Sequence, residues 1–247
     1  MGLKFSKIKK YSNLHIVTYN YNNNNSNLSN NVLLNFINNF VNKDVIFCIQ
    51  DINLDFKNTK LNYFYSENLK LLILTNLNIL KKNDYIYDTN DYNLLNKNLY
   101  GFQHLKLCYN NIKLNIYNTE IIPDEIQQIN FINIRDKQVK ELFDYICKSD
   151  DKIHLIIGTF FDYTNNIKEL LNISEINNLI TNFNNNKQES YIFAYSKKII
   201  NNIDNINDYL KNKYHMRIVN HKIYNLEIDE YCPFELVLKI EKINIII

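Results

Sequence analysis

The chain has 247 residues, with 28 Lys and Arg against 26 Asp and Glu and a net charge of +2. A chain of this length buries a sizeable core, and 46% hydrophobic with 13% aromatic content excludes intrinsic disorder. The near-neutral balance gives no electrostatic case for nucleic acid as the main partner.

The first residues, Met1-Gly2-Leu3-Lys4-Phe5-Ser6-Lys7, open a basic segment over 1–12. Removal of Met1 would expose Gly2, and Ser6 stands where N-myristoylation prefers a small hydroxyl residue. Lys4, Lys7, Lys9 and Lys10 supply the electrostatic second signal that a single acyl chain needs for stable anchoring. Gly2 is therefore the expected lipidation site, with peripheral membrane contact through the N-terminus. The plain alternative is a frayed basic end.

Beyond it, the Asn-rich stretch Tyr21–Asn31 reads as a loop. Val32, Leu33, Phe36, Ile37 and Phe40 have the spacing of an amphipathic helix over Asn31–Val41. Asp44–Ile49 is a short buried strand. Leu69–Leu77, Phe102–Cys108 and Lys113–Thr119 read as further strands, the last two joined by an Asn110-Asn111 hairpin turn. Val139, Leu142, Phe143 and Ile146 predict a helix over Ile134–Cys147. A strand at Ile153–Gly158, a helix at Ile167–Ile180, a strand at Tyr191–Ala194 and a short helix at Asp204–Lys211 follow. His215 through Lys222 reads as a solvated, mildly basic loop, and Glu235–Ile240 closes as a strand. Helices and strands alternate without a linker, so 13–247 forms one α/β domain.

The composition is skewed as well. There are 47 Asn and 38 Ile, against 3 Gly, 2 Pro, one Ala and two Arg. This is the signature of AT-rich codons, as in AT-rich large DNA viruses or protists. Under such drift, a glycine survives where geometry requires it. Cys48, Cys108, Cys147 and Cys232 form no CxxC pair. With no apolar N-terminal core and no apolar run long enough to span a bilayer, the chain reads as cytoplasmic and reduced.

Seven segments in this order resemble the endonuclease/exonuclease/phosphatase superfamily, the DNase-I-like fold, and its sphingomyelinase-like branch in particular. Leu14–Asn20 resembles the first family strand, ending in a metal-site Asn. Asp44–Asp51 resembles the second, whose Gln-Glu pair supplies the Mg²⁺ carboxylate; here the pair is Gln50-Asp51. Asn118-Thr119-Glu120 takes the place of Asn-Thr-His, and Arg135-Asp136-Lys137-Gln138 that of Arg-x-x-Gln. Gly158-Thr159-Phe160-Phe161 stands where Gly-Asp-Phe-Asn is expected, Ser190–Phe193 resembles Asp-Tyr-Ile-Phe, and Tyr231-Cys232-Pro233-Phe234 falls where Ser-Asp-His should stand. The fold that this implies is a four-layer αββα sandwich of two packed mixed sheets flanked by helices.

In that family, as the resemblance implies, a metal held by carboxylate and Asn polarises the phosphodiester, an Asp activates water, and His residues stabilise the developing charge. Here Thr159 replaces the water-activating Asp and Phe161 the loop Asn. Pro233 and Phe234 replace the final Asp-His, and Glu120 the strand His. Loss of even one member of such a unit costs orders of magnitude in rate. The expectation is a pseudoenzyme without a cofactor, retained for binding a protein or lipid partner at a membrane. The competing reading is a Mg²⁺-dependent phosphodiesterase of sphingomyelinase or nuclease type, with a rearranged oxygen site of Asn20, Asp51 and Glu120. Asp162, His154, His215 or His221 would then supply the lost proton chemistry. A nucleic-acid-binding module is the weakest third, because Arg is nearly absent.

Overall fold

The computed structural model describes residues 12–21, 27–52, 59–88, 99–122, 130–151, 153–160, 179–181, 190–196, 214–224, 226 and 233–242. Two strand–helix–strand units organise it. In the first, β1 (Leu14–Asn20) leads through α1 (Asn27–Asn38) to β2 (Asp44–Gln50), which lies parallel to β1. In the second, β7 (Ile112–Glu120) leads through α2 (Asn130–Cys147) to the parallel β8 (Ile153–Thr159). Antiparallel strands complete each sheet.

The first sheet adds β3 (Asn62–Ser66), β4 (Leu71–Thr75), β11 (Tyr214–Ile223) and β12 (Phe234–Lys242), in the order β11-β12-β1-β2-β4-β3. The second adds β5 (Asn78–Ile86), β6 (Gly101–Tyr109), β9 (Leu179–Thr181) and β10 (Ser190–Ser196), in the order β5-β6-β7-β8-β10-β9.

Strand alternation divides the side chains into three cores. Leu14 and Ile16 of β1, Ile46 and Cys48 of β2, Leu114 and Ile116 of β7, and Leu155 and Ile157 of β8 fill the space between the sheets. Their neighbours Val17, Tyr19, Val45, Phe47 and Ile49 face outward, where Leu33, Phe36 and Ile37 of α1 and Phe40 just beyond it cover them. Tyr117 and Ile156 meet Val139, Leu142 and Ile146 of α2 on the far side. Each fully buried large apolar side chain contributes about 1.5–3 kcal/mol, so both helices are held by this packing rather than by propensity. The layers are helix, sheet, sheet, helix: the four-layer sandwich expected from the sequence.

Several local expectations change. α1 begins at Asn27, inside the stretch read as a loop, and ends at Asn38. Asn weakens a helix without breaking it, and the buried face of Leu33–Phe40 carries the helix back into that stretch. The strand expected over Leu69–Leu77 is shorter, Leu71–Thr75, and pairs with β3 across a turn at 67–70. His215–Lys222 is not a loop but most of β11, an edge strand whose outer residues Arg217, Val219 and His221 are exposed. Edge strands alternate too weakly in hydrophobicity to announce themselves. Leu179 and Ile180 are strand rather than helix. The rest of that predicted helix and the helix expected at Asp204–Lys211 lie outside the described residues. Among the described residues no helix is long and apolar enough to cross a membrane.

The Asn110-Asn111 turn is as expected: both residues have positive φ, 51° and 62°, which a two-residue hairpin loop requires and Asn tolerates. Gly158 has φ 154°, and a Cβ there would lie 1.8 Å from the Thr119 carbonyl oxygen of the paired strand. At Gly101 a Cβ would lie 2.1 Å from the Tyr85 carbonyl oxygen. Two close backbone approaches thus explain two of the three surviving glycines.

Candidate functional site

The inward-facing rows are apolar along most of their length and turn polar at one end. On β1, Leu14 and Ile16 give way to Thr18 and Asn20; on β2, Ile46 and Cys48 to Gln50. On β7, Leu114 and Ile116 give way to Asn118 and Glu120, and on β8, Leu155 and Ile157 to Thr159. Because both units are parallel, these ends coincide: Asn20 is beside Gln50 and Glu120 beside Thr159. Phe234 pairs with Thr18 at the same edge. Sequence positions more than 200 apart thereby meet in one place.

The polar ends are joined across the two sheets. Gln50 Nε2 donates to Asn118 Oδ1 (2.7 Å) and to the Cys48 carbonyl (3.1 Å). Gln50 Oε1 accepts from Thr18 Oγ1 and Thr159 Oγ1, both at 3.4 Å. Asn118 Nδ2 reaches the carbonyls of Ile49 and Leu72 and the Oε1 of Gln103 (3.2–3.3 Å), and Gln103 Nε2 donates to the Phe64 carbonyl (3.0 Å). Gln50, Gln103, Asn118, Thr18 and Thr159 are all fully buried. A buried amide is tolerated only when its hydrogen bonds are satisfied, and Gln50 uses both ends of its amide.

Thr159 therefore sits within the floor, its hydroxyl committed to Gln50. Phe234 is buried in the core between the sheets, and Pro233 beside it is buried too, its carbonyl accepting from Tyr224 N (2.9 Å). Glu120 is half-buried and Asn20 is 8% exposed. Phe161 and Gly2, and with them Cys232 and Asp162, lie outside the described residues. Asp51 follows the end of β2 in left-handed backbone, φ 51°, and its Oδ1 is 3.6 Å from Lys70 Nζ. Lys70 and Gln103 were not legible as site residues. The signal for Gln103 is its parity, an amide in line with inward Leu105 and Leu107.

Arg135 and Gln138, one turn apart on α2, clamp a single residue. Arg135 Nε donates to the Ile122 carbonyl (2.9 Å) and Gln138 Oε1 accepts from Ile122 N (3.0 Å). That pair fixes the chain as it leaves β7.

His15, His104 and His154 have structural partners. His15 Nδ1 donates to Glu235 Oε1 (2.5 Å), and Glu235 Oε2 accepts from Tyr224 OH (2.5 Å). Burial would raise the Glu235 carboxyl, but the His15 and Tyr224 hydrogen bonds outweigh it and hold it below its usual value. His154 Nε2 donates to the Asp151 carbonyl (2.9 Å) and its Nδ1 accepts from Tyr117 OH (3.2 Å). His104 stacks on Tyr117, with Nε2 on Asn115 Oδ1 (2.9 Å) and Nδ1 on Tyr145 OH (3.1 Å). Burial lowers the His104 pKa. His154 and His104 lie on the outer face, under α2, away from the polar ends. Neither supplies proton chemistry there. Cys48, Cys108 and Cys147 form no disulfide among the described residues, and burial raises the Cys48 thiol well above its usual range.

Neither a family model nor a curated protein sequence matches the chain. Solved structures do. An endonuclease/exonuclease/phosphatase from Bacteroides vulgatus superposes with a TM-score of 0.64 at 11% identity, over 93% of this chain and all (100%) of its own. TDP2 of D. rerio, in complex with a single-strand DNA product, gives 0.62 at 13% identity over 92% and 99%. Beta toxin from Staphylococcus aureus gives 0.59 at 15% identity over 90% and 99%. The chain has the fold of these structures, the DNase-I-like sandwich.

The divalent metal implied by the DNase-I-like fold needs hard oxygen ligands gathered around one point. Asp51 and Glu120 are carboxylates at the polar edge, but a lysine ammonium already faces Asp51. Among the described residues, no three His, Cys, Asp or Glu side chains form a group that could hold a metal ion. The described residues at this edge thus offer two carboxylates, one of them already facing an ammonium, rather than a gathered set of hard oxygen ligands.

Proposed function

We propose that this chain is a non-catalytic protein built on a phosphodiesterase fold and retained for binding or assembly at a membrane surface. One observation carries the reading. Where the resemblance places the water-activating carboxylate, the chain has Thr159, fully buried and hydrogen-bonded to Gln50 at 3.4 Å. A hydroxyl takes up no proton near neutral pH, and one tied into the floor has no water to activate. Phe234, in the position of the charge-stabilising histidine, supports the same conclusion, since its ring lies in the apolar core. The fold survives the loss because its stability comes from the three cores and the amide network, not from the catalytic groups.

The membrane part rests on sequence: Gly2 as an acyl acceptor followed by Lys4, Lys7, Lys9 and Lys10. Co-expression with an N-myristoyltransferase and flotation on vesicles containing phosphatidylserine tests it. The wild type floats and Gly2→Ala stays with the soluble fraction; equal behaviour of the two overturns it. The catalytic part is tested on sphingomyelin, plasmid DNA and single-stranded DNA with Mg²⁺, Mn²⁺ or Ca²⁺. Turnover no faster than that of Asp51→Ala is expected.

A further inference from the structure

Asp51 and Lys70 are cross-strand neighbours at the end of the β2–β4 pair. The ladder runs Ile46↔Thr75 to Ile49↔Leu72, and its continuation sets Asp51 against Lys70. Both residues have φ 51°. Four described residues other than glycine adopt positive φ; two are the Asn110-Asn111 hairpin turn, and the other two are this pair. Asp tolerates the left-handed region, whereas Lys has no short polar side chain to ease it. Lys70 is the last residue of the 67–70 turn that joins β3 to β4, so the hairpin holds it left-handed.

The backbone does the holding here. Ile52 N donates to the Lys70 carbonyl (2.9 Å), and Tyr65 OH donates to the Ile52 carbonyl (3.3 Å). A half-exposed ion pair is too weak to impose two left-handed residues by itself. The order of cause is therefore backbone first, ion pair second: the fold delivers an ammonium to the carboxylate. Asp51 and Lys70 side chains are 39% and 44% exposed, so a cation from solvent has an open approach and competes with Lys70 rather than with a barrier.

We infer that Lys70 Nζ takes the place of the divalent cation at Asp51, a positive charge built into the chain. The inference rests on the reading of Asp51 as the position of the fold's metal carboxylate. Lys70 is a positioning residue in this sense: it satisfies Asp51 and keeps one positive charge at the polar edge whatever the metal concentration.

Mn²⁺ titration of the full chain, followed by electron paramagnetic resonance of the free ion, tests it without reference to turnover. Lys70→Gln removes the competing positive charge beside Asp51. It should bind Mn²⁺ more tightly than wild type by on the order of tenfold, the effect of removing one unit charge beside a divalent ion in a water-like medium. Lys70→Gln combined with Asp51→Asn should lose that gain. Equal Mn²⁺ affinity in wild type and Lys70→Gln overturns the inference, as does a gain that survives Asp51→Asn. Circular dichroism confirms folding, which both half-exposed substitutions should leave intact. Failure of the non-catalytic reading would appear as hydrolysis, and failure of this inference as unchanged Mn²⁺ binding, so the two are separable.

Discussion

Gln50 and Asn118 meet amide to amide across the space between the two sheets, at 2.7 Å. They come from the ends of strands in different strand–helix–strand units, and between them they bond to both sheets. This pair, with Thr159 on its flank, ties the floor of the polar edge into one hydrogen-bonded network.

The first consequence concerns stability. Asn118→Ala removes one acceptor from Gln50 Nε2 and the amide donor shared by the Ile49 and Leu72 carbonyls and Gln103 Oε1, all in a buried interior, and should cost about 2–4 kcal/mol. Gln50→Ala should cost a similar amount. Because the two amides share a bond, the double variant should lose less than the sum, by about 1 kcal/mol or more. Urea unfolding of the four proteins measures the coupling.

Gly158 tests the close approach of β7 and β8. A Cβ there would stand 1.8 Å from the Thr119 carbonyl oxygen. No rotamer change relieves a backbone clash, so Gly158→Ala should destabilise by at least about 3 kcal/mol or prevent folding. Thermal unfolding, or the soluble yield if the variant fails to fold, gives the answer. Gly101→Ala, with its 2.1 Å approach to Tyr85, should behave in the same way.

Acid should weaken the protein in two stages. Burial lowers the His104 pKa from 6.5, so the folded state prefers neutral imidazole. Its contribution is present above pH 6.5 and is lost as pH falls through the lower, folded value. Glu235 and Asp151 are held below 4.5 and 3.8, by hydrogen bonds that outweigh burial, from His15 and Tyr224 and from Lys106 and Asn115 respectively. Their contributions are present above those values and lost on further acidification. Urea midpoints measured from pH 8 to pH 3 should fall first below pH 6.5. His104→Gln, which cannot titrate, should lack that first fall and keep the second.

The two strand–helix–strand units were legible in the sequence because their apolar residues repeat at the periods of strand and helix, and because each strand is buried on both faces. β3, β5 and β11 were not. They sit at or near sheet edges, and water on one side leaves them with mixed, weakly alternating sequences such as Asn78–Ile86. At the site, it is the resemblance in motif order that implies one region for Asn20, Asp51, Glu120, Thr159 and Phe234. It does not reveal that Gln50 spends both ends of its amide on the floor, because hydrogen bonds between distant strands have no local pattern. Lys70 was hidden for the same reason. Only the left-handed turn and the β2–β4 register bring it to Asp51.

The central claim, that the polar edge no longer performs phosphodiester chemistry, is tested most directly by single-turnover hydrolysis of a chromogenic diester. Enzyme is held in excess, with Mg²⁺, Mn²⁺ or Ca²⁺ added in turn, and wild type is run beside Asp51→Ala. Equal, background-level release by both proteins with every metal is the predicted result. Release by the wild type that requires a metal and disappears in Asp51→Ala would contradict it, and would make Asp51 the ligand of a working metal site.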